Sequence, residues 1–139
     1  MIDVTTKTGA RAAERLERDL ILWLTTVTPE GQPQASPVWF LWLDGEILVY
    51  SRADTPRLAN LRGNPQVAVS FDGDGDGGRV VIMEGEARIA RERAALADVP
   101  AAYIEKHAEK LAAYGWTMAS MLVDYPAEIR IRPTRVRAW

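Results

Sequence analysis

The chain has 139 residues, 47% of them hydrophobic and 26% charged, with 17 basic side chains against 19 acidic ones and a formal net charge of -2. One domain spanning 1–139 with one hydrophobic core is expected, and disordered and fibrous classes are excluded. The acidic balance offers no general pull toward nucleic acid or an anionic membrane, and the absence of cysteine rules out disulfides, thiolate nucleophiles and cysteine-held metals.

The first residues, MIDVTTKTGARAAERLERD, lack a basic start followed by an apolar stretch. No run approaches the roughly 20 apolar residues of a spanning helix, so a soluble, cytoplasmic protein is expected. Thr8 can cap a short helix from about Ala10 to Asp19, with Ala12, Leu16 and Leu20 near helical spacing. LILWLTTVT, QPQASPVWFLWL and EILVYS are three apolar runs separated by turn residues, which predicts a meander of strands. Thr55 then caps a helix that begins at Pro56 and stops at Gly63, Asn64 and Pro65. QVAVSFD alternates as a strand, GDGDGG is a loop, and RVVIMEGEARIA is a long strand with a bulge or bend at Gly85. From Arg91 to Tyr125 the pattern is helical, broken at Pro100 and Gly115, and AEIRIRPTRVRAW closes the chain as a strand interrupted at Pro133. About six mostly antiparallel strands with helices outside the meander predict a closed or partly closed barrel. Side chains fill a barrel this small, so a large ligand must lie on its outer wall or between two subunits.

Asp72, Asp74 and Asp76 imitate the start of a calcium loop, but the twelfth position is Met83 rather than glutamate, so a flexible hairpin loop is expected and no metal. His107, the only histidine, has charged neighbours and reads as part of a solvated helix face. Ser36, Ser51, Ser70 and Ser120 have no partner histidine nearby in sequence, which leaves hydrolase chemistry unsupported. Trp23 and Trp42 read as core or interface residues, whereas Trp39 follows Pro37, a residue that marks a strand edge and a platform for a flat heterocycle. Arg130, Arg132, Arg135 and Arg137 alternate with apolar residues as an outward strand face. Arg52 and Arg57 flank a helix N-terminus, where the dipole disfavours cations. Either an anion is received there, or Asp54 pairs with one arginine while the others face solvent.

The stretch from VTPEGQPQASPVWFLWLDG to SRADTPRLANLRGNP, with YGWT and the final IRIRPTRVRAW, resembles the pyridoxamine-phosphate-oxidase type of flavin and deazaflavin split barrel. It is similar in particular to the actinobacterial branch that uses coenzyme F-420. The resemblance implies a mainly β, six-stranded antiparallel split barrel with flanking helices, forming a homodimer with two cofactor grooves at the subunit interface. It also implies that Ser36, Pro37, Val38 and Trp39 line the deazaflavin ring, while Tyr50, Ser51, Arg52, Thr55, Arg57 and Asn60 hold the phosphate and ribityl region. Arg57 stands where relatives carry lysine, which keeps the charge and changes its shape. The implied activity is an F-420-dependent reductase passing a hydride to an unsaturated small-molecule acceptor. The alternatives are an FMN-binding oxidoreductase of the same fold and a non-enzymatic carrier of the cofactor or of haem.

Overall fold

The computed structural model describes residues 2–139. Helix α1 (Lys7–Arg18) leads into strands β1 (Ile21–Val27), β2 (Pro33–Trp39), β3 (Leu41–Leu43) and β4 (Glu46–Ser51). Helix α2 (Pro56–Gly63) precedes β5 (Gln66–Ser70) and β6 (Val81–Arg91). A 3-10 turn (Leu96–Asp98), α3 (Ala101–Ala113), α4 (Met118–Asp124) and β7 (Ala127–Ala138) complete the order. The cap of α1 is Thr6, whose hydroxyl accepts from the Gly9 amide at 3.0 Å, two residues ahead of the expected Thr8.

All the strands lie in one antiparallel sheet of order β2-β1-β5-β6-β7-β4-β3. The expected six-stranded barrel is therefore corrected to a seven-stranded sheet that does not close. Every expected strand is present, but the run 32–43 divides at Phe40. Its first half pairs with β1 and its second with β4, at opposite ends of the sheet. One residue thus joins the two sheet edges, so the sheet curls round its core and leaves a seam there. Pro133 does not interrupt β7 as expected. It faces Gly85 at a register shift in the β6–β7 ladder, where a residue without an N–H is accommodated.

Two apolar layers result. Inside the curl, Ala12 and Leu16 of α1 pack with Leu22, Phe40, Ile47, Val49, Ile129 and Ile131. Successive residues of a strand point to opposite faces, so Leu48 and Tyr50 of β4 lie outside the curl. There they pack with Tyr103, Leu111, Met118 and Met121 of α3 and α4. No helix among the described residues is long and apolar enough to cross a membrane.

Candidate binding cleft

The outer helices leave a cleft against the sheet, lined by Pro37, Val38 and Trp39 of β2, Tyr50 of β4, Arg52, Thr55 and Arg57 of the β4–α2 corner, and Tyr114, Trp116, Met121 and Tyr125. Its volume of about 320 Å³ lies at the small end of ligand sites. β2 is an edge strand, so one rail of its peptide groups has no strand partner.

Arg57 dominates the electrostatics. Its guanidinium is half-buried, donates from Nη1 to Ser51 Oγ at 2.9 Å and also donates to Ser36 Oγ. No carboxylate among the described residues lies within 4.0 Å of it, and burial pushes the guanidinium below its ordinary pKa. A desolvated cation that bonds only to neutral hydroxyls is costly unless an anion joins it. Thr55 caps α2 by position only, because its hydroxyl is turned back to donate to the Arg52 carbonyl at 3.3 Å. Arg52 is exposed, with its carbon Cζ 5.3 Å from the centre of the Tyr125 ring and Asp54 Oδ1 3.8 Å from its Nε.

The ten residues singled out by resemblance therefore divide by position. Pro37, Val38, Trp39, Tyr50, Arg52, Thr55 and Arg57 line the cleft, and Ser36 and Ser51 reach it through Arg57. Asn60 lies elsewhere: it is buried and donates to Thr26 Oγ1 and Gln34 Oε1, both at 3.0 Å, tying α2 to β1 and β2. Arg62, the third arginine of the corner, pairs with Glu92 at 2.8 Å on the surface.

His107 is not on a solvated face. It is fully buried, its Nε2 lies 2.8 Å from the Phe40 carbonyl, and its ring lies against Trp39. Tyr103, His107 and Leu111 recur every four residues, and that spacing is the signal of a buried helix face. Tyr114, Trp116, Met121 and Tyr125 were also missed; their signal is a run of aromatic residues on either side of the Gly115 turn. In the aspartate loop, Asp74 Oδ1 accepts from the amides of Asp76 and Gly78 at 2.8 and 3.0 Å.

The sequence pattern of the pyridoxamine 5'-phosphate oxidase family matches residues 9–139. Among curated proteins none matches this chain. Of solved structures, the conserved hypothetical protein Rv2991 from Mycobacterium tuberculosis is similar at 27% identity, over 96% of this chain and 85% of that one, with a TM-score of 0.74. A structure named F420 reductase is similar at 24% identity, over 89% of this chain and 94% of that one, with a TM-score of 0.63. The haem storage protein HutZ from Vibrio cholerae shares the fold at 15% identity, over 96% of this chain and 95% of that one, with a TM-score of 0.64.

Proposed function

The chain belongs to the pyridoxamine 5'-phosphate oxidase family, and from that premise we propose that it is a reductase that binds coenzyme F-420 in this cleft and serves hydride transfer to an unsaturated organic acceptor. The observation that carries the reading is Arg57, a half-buried cation with two serine hydroxyls and no carboxylate within 4.0 Å among the described residues, in a cleft also lined by Trp39, Tyr50, Tyr114, Trp116 and Tyr125. Such a site fits a ligand that carries both a phosphate and a flat ring. The fold shared with an F420 reductase supports it.

Coenzyme F-420 supplies the hydride when bound, and the protein supplies position and electrostatics. Arg57, held by Ser36 and Ser51, receives the phosphate with Arg52 and Thr55. Pro37, Val38 and Trp39 take the ring along the free edge of β2. A second copy of the chain, in a homodimer, would cover the open side of the cleft. Haem is disfavoured, because the only histidine has its Nε2 engaged at the Phe40 carbonyl and its Nδ1 buried.

Paired titrations with F-420 and FMN, followed by tryptophan fluorescence, test the proposal. Saturable quenching by F-420 alone is expected, weakened ten- to a hundredfold by Arg57→Ala, which corresponds to about 1.4 to 2.8 kcal/mol. A preparation with a bound flavin spectrum, or equal F-420 affinity in wild type and variant, overturns it.

A further inference from the structure

The β1–β2 hairpin is tied to α2 at two points, and only one of them is at the cleft. Asn60 is 4% exposed, and its Nδ2 donates to Thr26 Oγ1 of β1 and to Gln34 Oε1 of β2, each at 3.0 Å. Thr26 and Gln34 stand directly opposite each other in the β1–β2 ladder, so one amide group grips both members of a cross-strand pair. One helical turn earlier, Arg57 donates to Ser36, two residues further along β2. Residues three apart on a helix share a face, as do residues two apart on a strand, and so the two ties line up.

Strand β2 needs such an anchor. One of its edges has no strand partner, Val38 is its only fully buried side chain, and Pro33 and Pro37 bring no N–H to the ladder. The turn after β1, closed by the Thr28 amide on the Gln32 carbonyl at 2.9 Å, fixes only the start of the pairing. Helix α2 is a firm base, because Leu58 and Leu61 are seated in the core. Arg57 alone is a poor anchor for a strand that must stay still during binding. It uses two of its five N–H donors on hydroxyls of β2 and β4, strands that share no ladder, and an anion drawn to the guanidinium competes for those donors.

We propose that Asn60 and Gln34 are positioning residues: they hold edge strand β2 against α2, so that Ser36 and the free edge keep their place when the Arg57 guanidinium turns to an anion. Neither lines the cleft, and both act through β2. The inference rests on the function proposed above only in taking Arg57 as the partner of an anion.

The test uses the full-length protein and Gln34→Met, which keeps the length of an exposed side chain and removes its acceptor. Three quantities are measured: hydrogen exchange of residues 33–39 without ligand, binding of inorganic phosphate by amide chemical shifts, and binding of F-420 by tryptophan quenching. The variant should melt within about 2 °C of wild type, as surface changes do. Its β2 segment should exchange at least threefold faster, and both probes should bind about three- to tenfold more weakly, the range one hydrogen bond supplies. Thr26→Val, which cuts only the tie to β1, should lower the melting temperature and leave both affinities within twofold. Asn60→Leu should weaken binding as Gln34→Met does, and the double variant no further than Asn60→Leu alone; if Asn60→Leu does not fold, Gln34→Met decides by itself. Faster exchange with unchanged affinities makes the tie merely structural and overturns the inference. Weaker binding with unchanged exchange makes Gln34 a direct ligand contact and overturns it as well. Wild type that binds neither probe overturns it together with the function proposed above. Phosphate binding with the expected variant pattern but no F-420 binding supports the positioning role and overturns only the coenzyme reading.

Discussion

The imidazole of His107 lies parallel to the indole of Trp39, with ring centroids 5.2 Å apart and 10° between the planes. The Phe40 carbonyl can only accept, so the proton sits on Nε2, and Nδ1 is buried without a partner among the described residues. Burial and the neighbouring Lys106 push the imidazole down to about 4 from 6.5. α3 thus holds both the cleft tryptophan and the residue at which the two sheet edges meet.

Stability should therefore fall with pH below the ordinary histidine range. The unfolded chain takes up the proton near pH 6.5 and the folded chain only near pH 4, so the His107 contribution is lost as pH falls between them. One proton amounts to at most about 1.4 kcal/mol per pH unit, or about 2 kcal/mol between pH 6.5 and 4.5. Urea denaturation of wild type and His107→Phe at both pH values checks this: the variant should lose less, by about that difference. An identical loss in both shows that His107 does not titrate in this window.

Lys106 presents a second burial cost on the same helix. Its ammonium stands 3.7 Å over the Phe40 ring, and its Nζ is buried without a hydrogen-bond partner among the described residues. Burial pushes it down to about 8 from 10.5, with Glu17 and Asp19 acting in the opposite sense. The neutral form is the one the fold favours, so wild type should gain stability as pH rises from 8 toward 10.5. Lys106→Met should be more stable at pH 7 by about 1 kcal/mol, the scale of an unsatisfied buried polar group, and should lack that alkaline gain. Thermal melts at pH 7 and 10 measure both; a variant less stable at pH 7 means the cation–ring attraction outweighs desolvation.

How much of this was legible in the sequence depends on the range of the cause. Apolar runs, alternation and turn residues located every strand except the separate β3, and cap chemistry located the Thr55–Pro56 start of α2, because these are local signals. The division at Phe40 carried no turn residue, since PVWFLWL is apolar throughout; its cause is tertiary, two ladders pulling the halves to opposite sheet edges. Pro133 suggested a break because nothing local revealed that Gly85 would face it. In the cleft, Pro37, Trp39, Arg52 and Arg57 stood out through edge proline and misplaced arginines, whereas Ser36, Val38, Tyr50 and Ser51 were implied only by the family resemblance. The α3–α4 wall did not, because exposed aromatics and core aromatics look alike in one dimension. His107 was misread by weighting its charged neighbours over its spacing with Tyr103 and Leu111.

Glu128 is 1% exposed and accepts through Oε2 from Arg91 at 3.3 Å and Arg130 at 3.2 Å. Across the β4–β7 ladder it faces Tyr50, whose phenol is pushed above its ordinary range first by burial and then by this carboxylate. Glu128→Ala leaves Arg130 largely buried beside an apolar gap and should cost about 3 kcal/mol, the low end for breaking a buried pair, because Arg91 can turn to Asp98. Equilibrium unfolding measures it; a loss below about 1 kcal/mol would place the pair among ordinary surface contacts.

Gly85 sits where a side chain has no room. A Cβ there would stand 2.9 Å from the Arg132 carbonyl oxygen and 3.2 Å from Ile131 Cγ2. The first obstacle is backbone, so Gly85→Ala must spread the β6–β7 ladder and should cost about 1–3 kcal/mol, as overpacking does. Gly31→Ala is the control for positive-φ strain alone, since nothing lies within 4 Å of a Cβ at that turn. The two substitutions compared by melting temperature separate crowding from conformation, and a Gly85 variant as stable as wild type refutes the tight approach.

β7 joins β6 to β4, so the strip β2-β1-β5-β6 and the hairpin β3–β4 have no ladder between them until the last strand is laid in. During synthesis both fragments must wait on the ribosome with unpaired rims on β6 and β4, the kind of exposed edge that templates aggregation. The non-local pairing of β4 with β7 makes this step intrinsically slow. A nascent chain arrested before residue 127 is thus a natural client for chaperones, and premature termination there would yield sticky fragments rather than a smaller working protein.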